Sequence, residues 1–225
     1  MMFSRMLRLL TVALVSLLLL GGNAWADRGL SARELAALGR GRLVSRPLRN
    51  ARSTQVGGTS WILVNADADT VWRALTDFSQ YSRFVPSAGR SRIIQRNGDV
   101  RIVGMQQESG LIQVNYALRT VLDPSKREIR FRVDRRRPRD VRDGWGFFRL
   151  EPRADGRTLV SYGAVVEPGN AVLAAVMGDA LRDHVLSIPR RLKRWVEGPG
   201  RARYARVPGR RVAGGGPTAP SDRHP

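Results

Sequence analysis

From Arg92 to Val166 the sequence repeats one device, a short alternation of apolar and polar residues followed by a turn. Ile129, Phe131 and Val133 alternate with Arg130, Arg132 and Asp134. A period of two puts the first three on one face of a strand and the last three on the other. Ile112, Val114, Tyr116, Leu118 and Thr120 alternate in the same way with Gln113, Asn115, Ala117 and Arg119. Asn97-Gly98 separates Arg92–Gln95 from Val100–Val103 and is a strong short-range hairpin signal. Ser109-Gly110, Asp123-Pro124-Ser125-Lys126, the charged loop Arg135–Asp140 with Pro138, and Ala154-Asp155-Gly156-Arg157 punctuate the rest. Strand residues resume near Val141, run through Phe147, Phe148 and Leu150, and return from Leu159 to Val166. None of these connections has the dozen or so residues that a parallel crossover needs, so six strands follow one another as an antiparallel meander. Gly144 and Gly146 predict a bend or bulge in the fifth of them.

A sheet with one apolar face must bury it against another element. The sequence supplies one after residue 170, where Ala174, Met177, Leu181, His184, Val185, Ile188, Leu192 and Trp195 fall on one side of a long helical pattern capped by Asn170. Arg182, Arg190, Arg191, Lys193 and Arg194 lie mostly on the other side. Pro189 must kink or divide this helix, because its ring clashes with the carbonyl four residues earlier.

Before the meander, Ser31 and Glu34 form a capping-box pattern for a short helix over 31–38. Gly58–Val64 reads as a strand, and Asn65-Ala66-Asp67 offers capping side chains for the helix that follows. Val71, Ala74, Leu75 and Phe78 recur at helical spacing beside Trp72. Tyr81, Phe84 and Val85 predict a second short helix or turn, which Pro86 ends.

The residues themselves fit a known pattern at this point. The stretch Asn65-Ala66-Asp67-Ala68-Asp69-Thr70-Val71-Trp72-Arg73-Ala74-Leu75-Thr76-Asp77-Phe78, with Tyr81 and Phe84-Val85-Pro86 after it, resembles the first segment of START-like (SRPBCC) proteins. That superfamily includes polyketide cyclase/dehydrase-like and coenzyme-Q-binding members. Leu122-Asp123-Pro124 and Gly156-Arg157-Thr158-Leu159-Val160-Ser161-Tyr162 extend the resemblance, which spans roughly residues 31–197. It implies an α+β helix-grip fold: strand, helix, helix, then a six-stranded antiparallel meander wrapped around a long C-terminal helix, with an apolar cavity between them. Such families share architecture while their ligands and activities differ.

The ends of the chain bear on location. Arg5 and Arg8, the apolar run Leu9–Leu20 and the small-x-small site Ala24-Trp25-Ala26 read as a secretory leader over 1–26, cleaved to leave Asp27 first. The run is about a dozen residues, short of the roughly 20 that cross a bilayer. A periplasmic or secreted product is expected, with one START-like domain over 27–197 and a disordered Arg-, Gly- and Pro-rich tail over 198–225. The formal charge is +20, and since the leader holds Arg5 and Arg8 with no acid, +18 remains after cleavage. Such a balance suits anionic surfaces. Peripheral contact with an anionic membrane through the Arg-rich surface and tail is an expectation; nucleic acid is not, because few aromatics interleave with the arginines. A monomer is expected.

With no cysteine and only His184 and His224, the sequence offers neither a disulfide nor a converging metal-ligand set. No Gly-x-Ser-x-Gly elbow and no phosphate-cradling glycine loop is found, so a hydrolase and a nucleotide cofactor are both unsupported, and no cofactor is expected. His184 is the one titratable residue on the apolar helix face. It either orients a ligand together with Tyr116 and Tyr162 or sits at the core edge bonded to a strand carbonyl. Phe131, Phe148, Tyr162 and Met177 point inward by parity or helical spacing, Leu181 shares the helix face, and Trp72 and Phe84 stand where a cavity mouth is expected. Ordinary core packing accounts for the same residues. The expected ligand-binding set is therefore Trp72, Phe84, Tyr116, Phe131, Phe148, Tyr162, Met177, Leu181 and His184, with no catalytic residue assigned. The expected function is an exported binding or carrier protein for a hydrophobic small molecule or lipid. The alternatives are a polyketide cyclase/dehydratase-like enzyme using an acid/base such as His184, and an envelope protein that binds anionic lipid or another polyanion.

Overall fold

The computed structural model describes residues 29–48, 55–109, 112–168 and 171–205, with backbone alone at 109, 112 and 171–178. The leader, Gly110, Asn170 and residues 206–225 lie outside the described residues.

Helix α1, Ala32–Gly39, starts on the expected capping box, with Ser31 and Glu34 each bonding the other's backbone N–H. Strand β1, Val44–Pro47, was not expected, and β2, Val56–Val64, begins two residues before the predicted strand. Asp67 caps α2, Ala68–Thr76, by accepting from the Thr70 N–H at 2.8 Å. A 3₁₀ helix, Phe78–Arg83, supplies the predicted second turn.

The six expected strands follow: β3, Ala88–Asn97; β4, Val100–Ser109; β5, Ile112–Asp123; β6, Glu128–Val133; β7, Val141–Pro152; and β8, Thr158–Pro168. With β1 and β2 they make one antiparallel sheet of eight strands in the order β1-β2-β8-β7-β6-β5-β4-β3. The first hairpin closes through Gly98, whose φ of 53° falls where a side chain is disfavoured. The irregularity of β7 lies between Val141 and Asp143, just before Gly144. Gly146 has a different task, because Phe131 of β6 pairs with it and lays its ring where a Cβ would stand.

The C-terminal helix is divided, as Pro189 requires, into α3, Ala171–Leu186, and α4, Ile188–Glu197. Pro189 falls in the first turn of α4, where its missing N–H leaves no gap in the bonding. Val185, Ile188, Leu192 and Val196 are buried against the concave face of the sheet, with Ile62, Val64, Ile129, Phe148 and Val160 in the same core. Sheet and helices thus grip each other as expected of an α+β helix-grip fold.

Two features depart from expectation. A second apolar cluster, Leu38, Val44, Leu63 and Leu159, seals α1 against the opposite, outer face of the sheet. The folded chain also continues beyond Glu197, where the tail was expected to begin. Helix α5, Arg201–Tyr204, buries Tyr204 to 3% exposure, Arg73 donates to the Tyr204 carbonyl, and Arg203 donates to Asp77 at 2.7 Å. A large apolar ring and a cation reaching an acid on the body of the domain hold this segment down, a signal too short for periodicity to show.

Candidate ligand cavity

Between the concave face and α3 lies a cavity of about 240 Å³. Strands β4, β5 and β6 deliver every second residue to it, whereas β7 and β8 also present neighbouring residues, Asp143, Gly144 and Trp145 from the first and Val165 beside Val166 from the second. Met105 and Gln107 come from β4, Val114, Tyr116, Leu118 and Thr120 from β5, Ile129, Phe131 and Val133 from β6, Phe148 from β7, and Tyr162, Ala164 and Val166 from β8. Leu181, His184 and Val185 of α3 and Ile188 of α4 face them from the helical side.

The middle of the wall is aromatic. Phe148 and Tyr162, paired in register, have ring centroids 4.6 Å apart, and Phe131 lies 6.1 Å from the first and 6.3 Å from the second. Offset contacts of this kind add to the energy of area burial. The alternation of β6 therefore does what its pattern predicts, presenting Ile129, Phe131 and Val133 to the cavity and Arg130 and Arg132 to solvent.

Six of the nine expected residues stand together on this wall: Tyr116, Phe131, Phe148, Tyr162, Leu181 and His184. Met177 belongs to α3, in the stretch whose side chains fall outside the described residues. Trp72 and Phe84 do not reach the wall. Phe84 turns into the core against Tyr81, with centroids 4.9 Å apart, and the turn at Pro86 presents Val85 and Pro86 to the cavity in its place. Trp72 packs, partly buried, against the same core. Met105, Gln107 and Val141 were not singled out in the sequence, although the parity of β4 and β5 extended to neighbouring strands reaches the first two.

His184 stands at the edge of both core and cavity. It lines the cavity, and the backbone carbonyl of Pro86 accepts from its ring; the acceptor lies in the loop before β3 and not in a strand. Burial lowers its pKa, outweighing the Pro86 bond that favours the charged form, with the Arg191 charge lowering it further. The imidazole is accordingly neutral at neutral pH.

Three phenols meet the cavity: Tyr81, Tyr116 and Tyr162. Burial pushes all three pKa values up, so each remains a protonated donor. The Tyr81 hydroxyl donates to the Leu75 carbonyl at 2.7 Å. At the loop end of the cavity stand Asp140 and Asp143. Burial alone would raise the Asp143 carboxyl, but bonds from Arg132, Arg135 and the Gly144 N–H overcome it and hold the pKa at about 2. Among the described residues no group of three or more His, Cys, Asp or Glu side chains is placed to hold a metal ion, and no helix is long and apolar enough to cross a membrane.

A sheet that grips a C-terminal helix around an apolar cavity defines a START-like, helix-grip protein. The chain belongs to the family described as polyketide cyclase / dehydrase and lipid transport, whose model matches residues 55–197. Comparison with curated proteins found no match. Among solved structures, a STAR-related lipid transfer protein from Xanthomonas axonopodis is similar at 14% identity with a TM-score of 0.59, over 69% of this chain and 94% of that one. The Zhui aromatase/cyclase from a Streptomyces species is similar at 18% identity with a TM-score of 0.54, over 65% and 98% of the two chains. A START superfamily protein from Mycobacterium smegmatis is similar at 19% identity with a TM-score of 0.50, over 63% and 97%. At these identities the likeness is one of fold.

Proposed function

We propose that the chain is exported, loses its leader after Ala26, and acts outside the cytoplasm as a binding or carrier protein for a hydrophobic small molecule or lipid. The observation that carries this reading is the cavity itself. About 240 Å³ walled largely by Phe131, Phe148, Leu118, Ile129, Val133 and Leu181 is a place where apolar surface leaves water, while Tyr116, Tyr162 and His184 supply sparse polar contacts. The lipid-transport description of the family agrees with it. Native mass spectrometry of the full chain purified from its own cell envelope tests the reading. A hydrophobic compound bound one to one, on a chain that begins at Asp27, is the expected result; an empty chain retaining Met1 contradicts both halves.

A cyclase or dehydratase is the second reading, favoured by His184, whose neutral imidazole faces the cavity and is able to accept a proton. His184→Gln separates the two, abolishing turnover of an enzyme while leaving the affinity of a carrier within a few fold. Peripheral docking on an anionic membrane is compatible with either. Arg119, Arg130, Arg132 and Arg149 are exposed on strands β5 to β7, and vesicle binding that weakens with salt is its mark.

A further inference from the structure

Two hydroxyls on the cavity wall have no hydrogen-bond partner among the described residues. The sealed side-chain atoms without a partner among the described residues are Ser60 Oγ, Ser91 Oγ and Arg182 Nε. The Tyr116 and Tyr162 hydroxyls are not among them, yet neither makes a hydrogen bond to any described residue. They are therefore open to the cavity that both side chains line. Tyr162 is 3% exposed, so the only space its hydroxyl can meet is that cavity. Tyr116 stands on β5 and Tyr162 on β8, and the two side chains line the same cavity, as does that of Tyr81, whose own hydroxyl is taken by the Leu75 carbonyl. A buried hydroxyl without a partner carries a desolvation penalty that a ligand acceptor removes.

The charges around the cavity restrict that acceptor. No lysine or arginine lines it among the described residues, while Asp140 and Asp143 stand at its loop end. An anionic head would meet no cation on the lining itself, and the two guanidinium groups nearest the loop end, Arg132 and Arg135, are already engaged by the Asp143 carboxylate. The size restricts the ligand further, since about 240 Å³ lies below the roughly 300–1,000 Å³ of sites that enclose drug-sized molecules.

Resting on the carrier reading above, we propose that the ligand is a small, uncharged, oxygen-bearing apolar molecule of one or two rings, whose oxygen accepts hydrogen bonds from the Tyr116 and Tyr162 hydroxyls. Burial keeps both phenols protonated, so the donors persist through neutral and mildly alkaline pH. A hydrocarbon fills the same space and leaves both hydroxyls unpaired.

Titration calorimetry with three probes of one skeleton tests this: tetralin, its ketone α-tetralone, and naphthoate. The wild-type chain is expected to bind the ketone about tenfold more tightly than the hydrocarbon, the size of one net hydrogen bond, and to bind naphthoate least. Tyr116→Phe and Tyr162→Phe each narrow the ratio, and the double variant brings it near one while tetralin affinity stays within about twofold. Equal binding of ketone and hydrocarbon by the wild type, a ratio that survives the double variant, or tight binding of naphthoate overturns the inference and leaves the carrier reading standing, since tetralin binding reports the cavity alone. If no probe binds, the carrier reading fails and this inference falls with it.

Discussion

Phe148 of β7 and Tyr162 of β8 face each other in register, their ring centroids 4.6 Å apart, and form the middle of the cavity wall. Neither ring is free to move alone, because Phe131 of β6 lies against both. The same three side chains thus hold adjacent strands together and give the cavity its apolar surface, which couples stability to binding.

Phe148→Ala is therefore expected to cost about 3–5 kcal/mol in urea denaturation, the range for removing a buried aromatic ring. A loss below about 1 kcal/mol would show that the wall does not depend on this pair.

The glycines opposite the rings give a second test. A Cβ on Gly146 would stand 2.2 Å from the Gly163 carbonyl oxygen and 2.5 Å from the Phe131 ring, whereas one on Gly163 would meet the Phe147 ring at 2.4 Å. Gly146→Ala forces backbone apart and should destabilise by about 1–3 kcal/mol. Gly163→Ala meets a side chain instead, so the cost of combining it with Phe147→Ala should fall short of the sum of the single costs. Strict additivity in equilibrium denaturation would contradict the contact.

Asp143 makes the fold sensitive to acid. Its carboxyl is held at about 2, below the ordinary 3.8, because the bonds from Arg132, Arg135 and the Gly144 N–H exceed the cost of its burial. A depressed carboxylate stabilises the fold fully above its unfolded pKa, and the stabilisation disappears as pH falls through the folded value. Melting temperature should accordingly drop between about pH 4 and pH 2, and Asp143→Asn should flatten that part of the curve while lowering its plateau. An unchanged slope would assign the acid sensitivity elsewhere.

The period-two runs carried the sheet into view because its middle strands, β5 and β6, are apolar on one face only. That is why Tyr116, Phe131, Phe148 and Tyr162 were readable from parity and meet at one cavity. Parity has no hold on turns, and Phe84 was misplaced there: the chain reverses at Pro86, sending Phe84 into the core and Val85 to the cavity. Strand β1 was invisible because Val44-Ser45-Arg46-Pro47 has no alternation of its own and pairs with β2 at the sheet edge. The outer-face cluster of Leu38, Val44, Leu63 and Leu159 joins residues far apart in sequence, and no local pattern announces that a sheet is covered on both sides there. Gly144 and Gly146 were read as a bend or bulge, and the strand does carry one, at Val141–Asp143 just before Gly144, whereas Gly146 is small because Phe131 lies over it.

The C-terminal boundary is open to direct test. Tyr204 is buried against the core, its carbonyl accepts from Arg73, and its hydroxyl donates to Asp77 at 3.3 Å. Tyr204→Ala should lower stability by about 3 kcal/mol, and truncation after Glu197 by at least as much. A chain ending at Glu197 with wild-type thermal stability would return the domain boundary to that residue.

The central claim is that apolar molecules enter the space between the sheet and α3. Titration of a polarity-sensitive apolar fluorophore into the wild-type chain and into Leu118→Trp, whose larger side chain fills the cavity from β5, tests it most directly. With both proteins folded by circular dichroism, one saturable site in the wild type that is lost in Leu118→Trp is the predicted result. Unchanged binding in the variant, or no saturable binding in the wild type, would contradict the account.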